Sequence, residues 1–417
     1  MGFSLTNADD TAGAARAPAP PAAARAHTDA ADFARELRGR DIICFAQDWT
    51  GDPLSKTHLM RALARDNRVL WVNSIGLRAP SASAADLRRS LSKLKAVATP
   101  LKEVEPNIFV LNPLSVPAYG LPFMRAFNRL ALRLQVRRAM RRLAFRRAVN
   151  YVFLPPAALV AGKLKEELVI YHCVDEYAAF SDIQAGPILE MEEILLRRAD
   201  IVFASAELLV QSKARHNPRT HLVRHGVDFA HFSRALDPAT EVPAEVASLP
   251  RPVIGFFGLV ADWVDVDLMA AVARHFAHGS LVVLGKVTTD VSALESLPNV
   301  RLLGRRPYAE LPAYCKGFDV ALMPFRVNEL TLNANPLKVR EYLAAGLPVV
   351  STPIPEVEVL GLCRIADGPE ETIREVQAAL ASPGPDRARS EAVRGESWEA
   401  RLDEIRRHLA ALKRSSQ

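Results

Sequence analysis

Between Asn333 and Thr352 the chain reads Asn-Ala-Asn-Pro-Leu-Lys-Val-Arg-Glu-Tyr-Leu-Ala-Ala-Gly-Leu-Pro-Val-Val-Ser-Thr, and this stretch restricts the fold more than any other. Asn333 or Asn335 can cap a helix, and Pro336 suits its first position. Leu337, Tyr342, Leu343 and Ala344 stand at helical spacing. Gly346 and Pro348 stop the helix, and Val349-Val350 opens a short buried strand. A polar loop thus feeds a helix whose first N–H groups and dipole favour an anion. Lys338 and Arg340 add positive charge in the first turn, where the dipole alone would prefer a carboxylate. Cations in that place suggest that something anionic comes to them; two ordinary surface cations are the alternative.

The same alternation of strand and helix runs through the chain. Ile42–Ala46 reads as a strand and leads into the turn-rich loop Gln47 to Pro53. A helix from about Ser55 to Arg65 and a second strand, Val69–Asn73, follow. A strand, helix, strand unit of this length predicts a parallel sheet, whose ligands collect at the carboxyl ends of its strands. Further strands are expected at 150–154, 168–171, 201–205 and 220–223. The one ending at Tyr171 opens onto His172-Cys173-Val174-Asp175-Glu176-Tyr177, an imidazole and carboxylates at a strand end. Asp175 is the first candidate for a base and His172 the second, although Asp175 could equally cap the next helix. Pro238, Pro243, Pro250 and Pro252 cluster where a linker is expected, at 236–251. A second series of strands begins at Pro252, with glycine turns at Gly258, Gly285 and Gly304.

At 417 residues the chain suits two domains, each able to bury a core. Residues 1–38, rich in Ala and Pro, read as a disordered tail with a short helix near Asp32 to Leu37. No apolar run approaches the roughly 20 residues of a membrane-spanning helix. The four cysteines are far apart, so neither a disulfide framework nor a zinc site is indicated. Net charge is +6, and positive charge concentrates in Arg125 to Arg147, which holds nine arginines. Arg125, Arg129, Arg133, Arg137 and Arg141 recur every fourth residue, among Phe123, Phe127, Leu130, Leu134 and Phe145. This predicts a basic amphipathic helix, lying against anionic lipid headgroups or presenting a solvated arginine face. No nucleic-acid-binding fold accompanies the patch, so no nucleic-acid partner is expected.

The stretch from Glu341 through Gly346 to Pro348-Val349-Val350 resembles the donor-site helix of GT-B glycosyltransferases, family 4 or group 1. The family pattern has a Glu eight positions before the second Glu, where this chain has Asn333. The Asn-Pro-Leu-Lys form resembles a bacterial polysaccharide sub-branch likened to teichuronic-acid synthesis enzymes. His225-Gly226-Val227-Asp228 resembles the hinge element of the fold, with His225 in place of Asn. After Gly258, Asp262-Trp263-Val264-Asp265 stands where many members carry a basic residue.

The resemblance implies an α/β, GT-B chain: two Rossmann-like domains at 39–235 and 252–395 facing a cleft, with a C-terminal crossover helix at 396–417. It implies transfer of a sugar from a nucleoside diphosphate sugar to a glycan or lipid-linked acceptor in cell-surface polysaccharide synthesis. A sugar-nucleotide epimerase and a catalytically silent scaffold are the alternatives. The transferase would be metal-independent and retaining, with no cofactor, cytoplasmic and peripheral at the inner membrane face. Glu341 would take the ribose hydroxyls, Asn333 would lie near the donor sugar, and the backbone at Leu337 with Lys338 would hold the diphosphate. Gly258, Lys286, Arg305, Arg326 and Asn335 complete the donor side. Gln47, Asp48 and Trp49 form the acceptor side, and Asp175 would be the base of an inverting enzyme or an orienting group in a retaining one. Arg129, Arg133, Arg137 and Arg141 would form the membrane surface.

Overall fold

The computed structural model describes residues 37–73, 101–116 and 118–412. Of the tail expected at 1–38 and its short helix, all but Leu37 and Arg38 fall outside them, and Leu37 is buried in the first core rather than part of a loose tail.

In the first half, strand β1 (Asp41–Phe45), helix α1 (Ser55–Ala64), β2 (Arg68–Val72), β3 (Lys102–Glu105) and β4 (Ile108–Leu111) come first. Helix α2 (Pro122–Arg142), β5 (Ala148–Val152), β6 (Leu168–Cys173), α3 (Ala185–Arg198), β7 (Ile201–Ala204), α4 (Glu207–Lys213) and β8 (Thr220–Leu222) follow. The strands form one sheet in the order β3-β4-β2-β1-β5-β6-β7-β8. Only the β3–β4 pair is antiparallel. Residues of β1, β5 and β6 are buried throughout, as strands covered on both faces must be.

The second half contributes β9 (Val253–Phe257), α5 (Val266–His275), β10 (Ser280–Leu284), β11 (Val300–Gly304), β12 (Val320–Met323), α6 (Leu337–Ala344), β13 (Val349–Ser351) and β14 (Arg364–Ile365). These strands form a parallel sheet in the order β11-β10-β9-β12-β13-β14. Each sheet has its own apolar core. Gly255, inside β9, faces the Phe318 ring so closely that any side chain there would overlap it.

The last helix, α7 (Trp398–Ala411), follows the second half in sequence but packs with the first. Leu402, Ile405 and Leu409 belong to the first core. Val227 on the outward crossing bridges Ser397 on the return, so the two crossings lie side by side. Gly226 makes this possible, because a Cβ there would meet the backbone of Ser397 and Trp398.

Two expectations need correction. Residues 236–251 are not a bare linker: Val246, with Phe232 and Ala235 just before, is buried in the second core. The prolines interrupt any regular pattern, yet the apolar residues between them find a surface. The arginine-rich helix ends at Arg142, and Ala144 turns away at φ 52°, so Arg146 and Arg147 lie beyond it. A four-residue step also overshoots the helical repeat by about 40°. The arginine row therefore winds around α2: Arg129 and Arg141 are exposed, whereas Arg133 and Arg137 are half-buried. Arg137 donates to the Lys163 carbonyl at 2.9 Å.

Candidate active site

Loops at the carboxyl ends of β1, β6 and β7 meet the second half across the line between the two sheets, Ser205 bonding to Asn335 just before α6. On the first side, Lys56 is buried in the first turn of α1 and donates to the Gln47 side chain. Its ammonium and the Asp175 carboxylate feel each other's charge without forming an ion pair. Burial pushes Asp175 up to about 6, against the pull of Lys56. Burial brings Lys56 down to about 8, against the pull of Asp175. A carboxylate poised near neutrality beside a partly titratable amine is suited to proton transfer.

The loop carrying Asp175 is pinned from below. Lys213 Nζ lies 2.7 Å from Glu176 Oε2 and 2.9 Å from Glu192 Oε2. Tyr171 Oη donates to Glu192 Oε1 at 2.5 Å. All four side chains are buried, joining β6, its following loop, α3 and α4.

His172 does not line the cleft. It is buried among Tyr151, Phe153 and Phe203, with Nδ1 3.0 Å from Tyr151 Oη. Burial takes its pKa down to about 3, so it is a neutral part of the floor rather than a second base. Its position at a strand end had concealed that the final inward-facing residue of β6 is still core. Trp49 is also more structural than expected. Its ring meets Trp71 edge-on at 4.8 Å, and Arg61 lies 5.5 Å from its centroid. Asp48, by contrast, is exposed.

On the second side, Gly258 adopts φ 137° and leaves the space that Lys338 fills; a Cβ there would collide with Lys338 Cε. A Cβ on Gly285 would in turn strike the Gly258 carbonyl. Two glycine turns thus stack beneath one lysine. Lys338 is half-buried, its Nζ 5.3 Å from the Phe325 ring centroid and 5.8 Å from that of Phe256. Burial lowers its pKa, and Glu341 counteracts this. Glu341 is buried and pushed up to about 7, with Lys338 opposing and Asp228 and Asp52 adding to the rise. Tyr342 locks the helix to β9, accepting from Phe257 N at 2.8 Å.

The polar segment before α6 divides differently from the sequence expectation. Asn335 is buried and fully used between the halves. Its amide donates to Ser205 O at 2.7 Å, its Oδ1 accepts from Arg340 at 2.6 Å, and its carbonyl lies 2.7 Å from His225 Nδ1. Glu356 completes the joint by accepting from Glu207 N and Arg224. Asn335 is therefore a domain-joining residue rather than a ligand contact. Arg340 likewise turns inward to Glu396 at 3.2 Å and is buried, so it is no anion receptor. Asn333 is half-buried and donates to Glu329 O, while Leu337 is the first residue of α6.

Arg305 pairs with Asp52 of the opposite half through bonds of 3.0 and 2.9 Å, a contact that closes the cleft. Ser181 to Asp262 at 2.5 Å and the edge of Phe180 against Trp263 also cross it. Lys286 is exposed, and exposed Arg326 lies 3.8 Å from Asp267 of α5. Among the described residues there is no cluster of three or more metal-ligating side chains. Sequence reasoning missed Lys56 and Lys213, because a buried lysine reads like any helical surface cation.

Residues 251–382 match the sequence profile of the glycosyl transferases group 1. The chain is 28% identical over 223 residues to the putative teichuronic acid biosynthesis glycosyltransferase TuaH of Bacillus subtilis strain 168. The chain has the two-sheet GT-B fold, and its second half carries the group 1 glycosyl transferase profile. The match with the Bacillus protein spans 49% of this chain and 55% of the relative, about half of each. The fold is shared with sucrose-phosphate synthase from Thermosynechococcus elongatus, at a TM-score of 0.64 and 15% identity over 90% of this chain and 100% of that one. Anabaena HepE in complex with UDP superimposes with a TM-score of 0.58 and 14% identity over 89% and 100%. The group 1 profile thus covers the half that contains Gly258, Lys338 and Glu341.

Proposed function

We propose that this chain transfers a sugar from a nucleoside diphosphate sugar to a glycan or lipid-linked acceptor in bacterial cell-surface polysaccharide synthesis. One observation carries the reading: Gly258, Lys338 and Glu341 converge at the amino terminus of α6, within the group 1 region. Lys338 and the first N–H groups of α6 would stabilise the departing diphosphate, the main electrostatic demand of the reaction. Glu341 would accept from the ribose hydroxyls. Asp175 would receive the acceptor proton in an inverting course, or orient the acceptor hydroxyl in a retaining one. The retaining, metal-independent course is the one proposed, with the nucleotide sugar as substrate and no cofactor. The named complex of HepE with UDP supports a nucleotide donor. No described helix is long and apolar enough to cross a membrane. A cytoplasmic protein peripheral to the inner membrane face is part of the proposal.

The first test is thermal melting with UDP, GDP and ADP and their sugars. A ligand at 100 times its Kd should stabilise the folded chain by about 2.7 kcal/mol. One nucleotide class should raise Tm, and Glu341→Ala should abolish the rise. Affinity should also increase from pH 6 to 8, because an ionised carboxylate accepts hydroxyl hydrogen bonds better and Glu341 titrates near 7. The absence of any shift would overturn the donor-site reading.

Proton transfer has its own signature. The rate should rise as Asp175 ionises through about pH 6 and fall as Lys56 loses its proton above about 8. Asp175→Asn should remove the acid limb and cost about 100- to 10,000-fold if Asp175 is the base. Full activity in this variant would exclude that role.

A further inference from the structure

After Gly258, Asp262-Trp263 stands where a basic residue is expected, and nothing in the donor reading uses it. The segment is fastened on its own side by backbone hydrogen bonds. Val260 N donates to Lys286 O at 2.9 Å, and Val260 O accepts from Thr288 N at 2.8 Å. Val264 bridges Phe325, Asp265 N donates to Pro324 O at 2.8 Å, and Trp263 O accepts from Arg326 N at 2.9 Å. Phe325 is one of the two rings under the Lys338 ammonium. The Trp263 backbone is therefore part of the wall on which Lys338 lies.

The Trp263 ring reaches across the cleft to Phe180, edge to face at 5.9 Å and 89°, within the range of a favourable aromatic pair. Beside it Ser181 Oγ donates to Asp262 Oδ2 at 2.5 Å. Phe180 and Ser181 lie in the loop from β6 to α3, which also carries Asp175. That loop is tied at its base, where Val174 O accepts from Ser205 at 3.0 Å and Glu176 from Lys213 at 2.7 Å. Tyr177–Ala179 then forms a single turn. The Tyr177 ring stacks with Phe180 at 6.5 Å, and Lys56 Nζ lies 5.8 Å from the Tyr177 centroid. An unbroken series of contacts thus runs from Lys56 through Tyr177, Phe180 and Trp263 to Phe325 and Lys338. It joins the two charged centres of the site, with an ammonium over an aromatic ring at each end.

We propose that Trp263 is a positioning residue for sugar transfer: through Phe180 it sets the loop of Asp175 against the wall that carries Lys338, which fixes the spacing of the two centres and shuts out water between them. The inference rests on the proposed transfer reaction and adds to it a residue that touches neither sugar nor nucleotide. Trp263 suits this task better than the cation it replaces. A large flat ring fixes a loop through shape and contact area, whereas an ammonium holds an anion without holding a loop. Spacing matters because a displacement of about 1 Å in a reacting site costs about 100-fold in rate. Ser181 and Asp262 are exposed, so water competes for their bond and the aromatic pair supplies most of the hold.

The test is a double-mutant cycle in the full chain, using the donor identified by melting. Trp263→Ala and Phe180→Ala should each lower kcat about 10- to 100-fold, with donor KM within about 2-fold of wild type and the nucleotide Tm rise retained. The two together should lose no more than either alone, because both remove one contact. Trp263→Phe should restore most of the rate, since a smaller ring still meets Phe180. Donor hydrolysis, in which water takes the place of the acceptor hydroxyl, should rise relative to transfer in the alanine variants. Ser181→Ala should cost less than about 3-fold. Losses that multiply in the double variant, or a donor KM that rises while kcat is unchanged, overturn the proposal. Hydrogen exchange across residues 176–183 follows the contact without any substrate. It should quicken in Trp263→Ala and Phe180→Ala, and unchanged exchange overturns the clasp even where the rate falls. Trp263 also packs on the second core, so Phe180→Ala and Trp263→Phe carry the test if Trp263→Ala folds poorly. If the wild-type chain transfers no sugar, the positioning role falls with the transfer reading, while nucleotide melting still reports on the donor site by itself.

Discussion

Lys213→Met is expected to destabilise the first domain by about 3–5 kcal/mol, the usual result of removing one partner from a buried ionic cluster. Among the described residues, Lys213 is the only cation paired with Glu176 and Glu192. Without it, two carboxylates remain in a dry interior, with Tyr171 as the surviving donor to Glu192. Burial already pushes Glu176 up, and Glu192 and Glu329 push it further. Urea unfolding followed on the first domain measures the loss as a drop in midpoint. A loss below about 1 kcal/mol, the range of exposed pairs, would show that the cluster is hydrated. Because this cluster lies under the loop of Asp175, activity should fall in the variant even at temperatures where it stays folded.

Gly258→Ala is expected to lower sugar transfer by about 100-fold or more, comparable to deleting one group that stabilises developing charge. The added methyl must displace Lys338, and the backbone at φ 137° disfavours any side chain. Gly304→Ala is the matched control: it also has positive φ, at 69°, but no atom lies within 4 Å of its would-be Cβ. Steady-state rates with the donor identified by melting would compare the two. Equal activity in both variants would show that the lysine tolerates displacement and that the diphosphate is held elsewhere.

The fold was legible in the chain because its signals are local. Short apolar runs ending in glycine produce strands and their turns, and Asn335-Pro336 to Gly346-Leu347-Pro348 marks both ends of α6 within a few positions. Glu341, Lys338 and Gly258 were legible as a group only through resemblance, since 80 residues separate the glycine from the lysine. What failed was partner-dependent. Asn335 looked open to a ligand, but its partner Ser205 stands 130 positions away. Arg340 looked like an anion receptor in a first helical turn, but Glu396, 56 positions on, neutralises it. His172 and Trp49 carried the right chemistry in the right region, yet aromatic neighbours from other strands cover them. A single sequence gives residue type and approximate position; it does not give the neighbour that spends a side chain's valence.

Two of the contacts that join the halves differ in their response to dissolved ions. At one, Asn335 and Glu356 are only 4% and 3% exposed, and mobile salt cannot reach their bonds. At the other, the side chains of Arg305 and Asp52 are 58% and 42% exposed, and counterions compete for both directly. Raising ionic strength therefore loosens the mouth of the cleft while the joint at the head of α6 holds. The medium adjusts how readily the mouth parts, without altering the alignment of α6, the helix proposed to hold the donor.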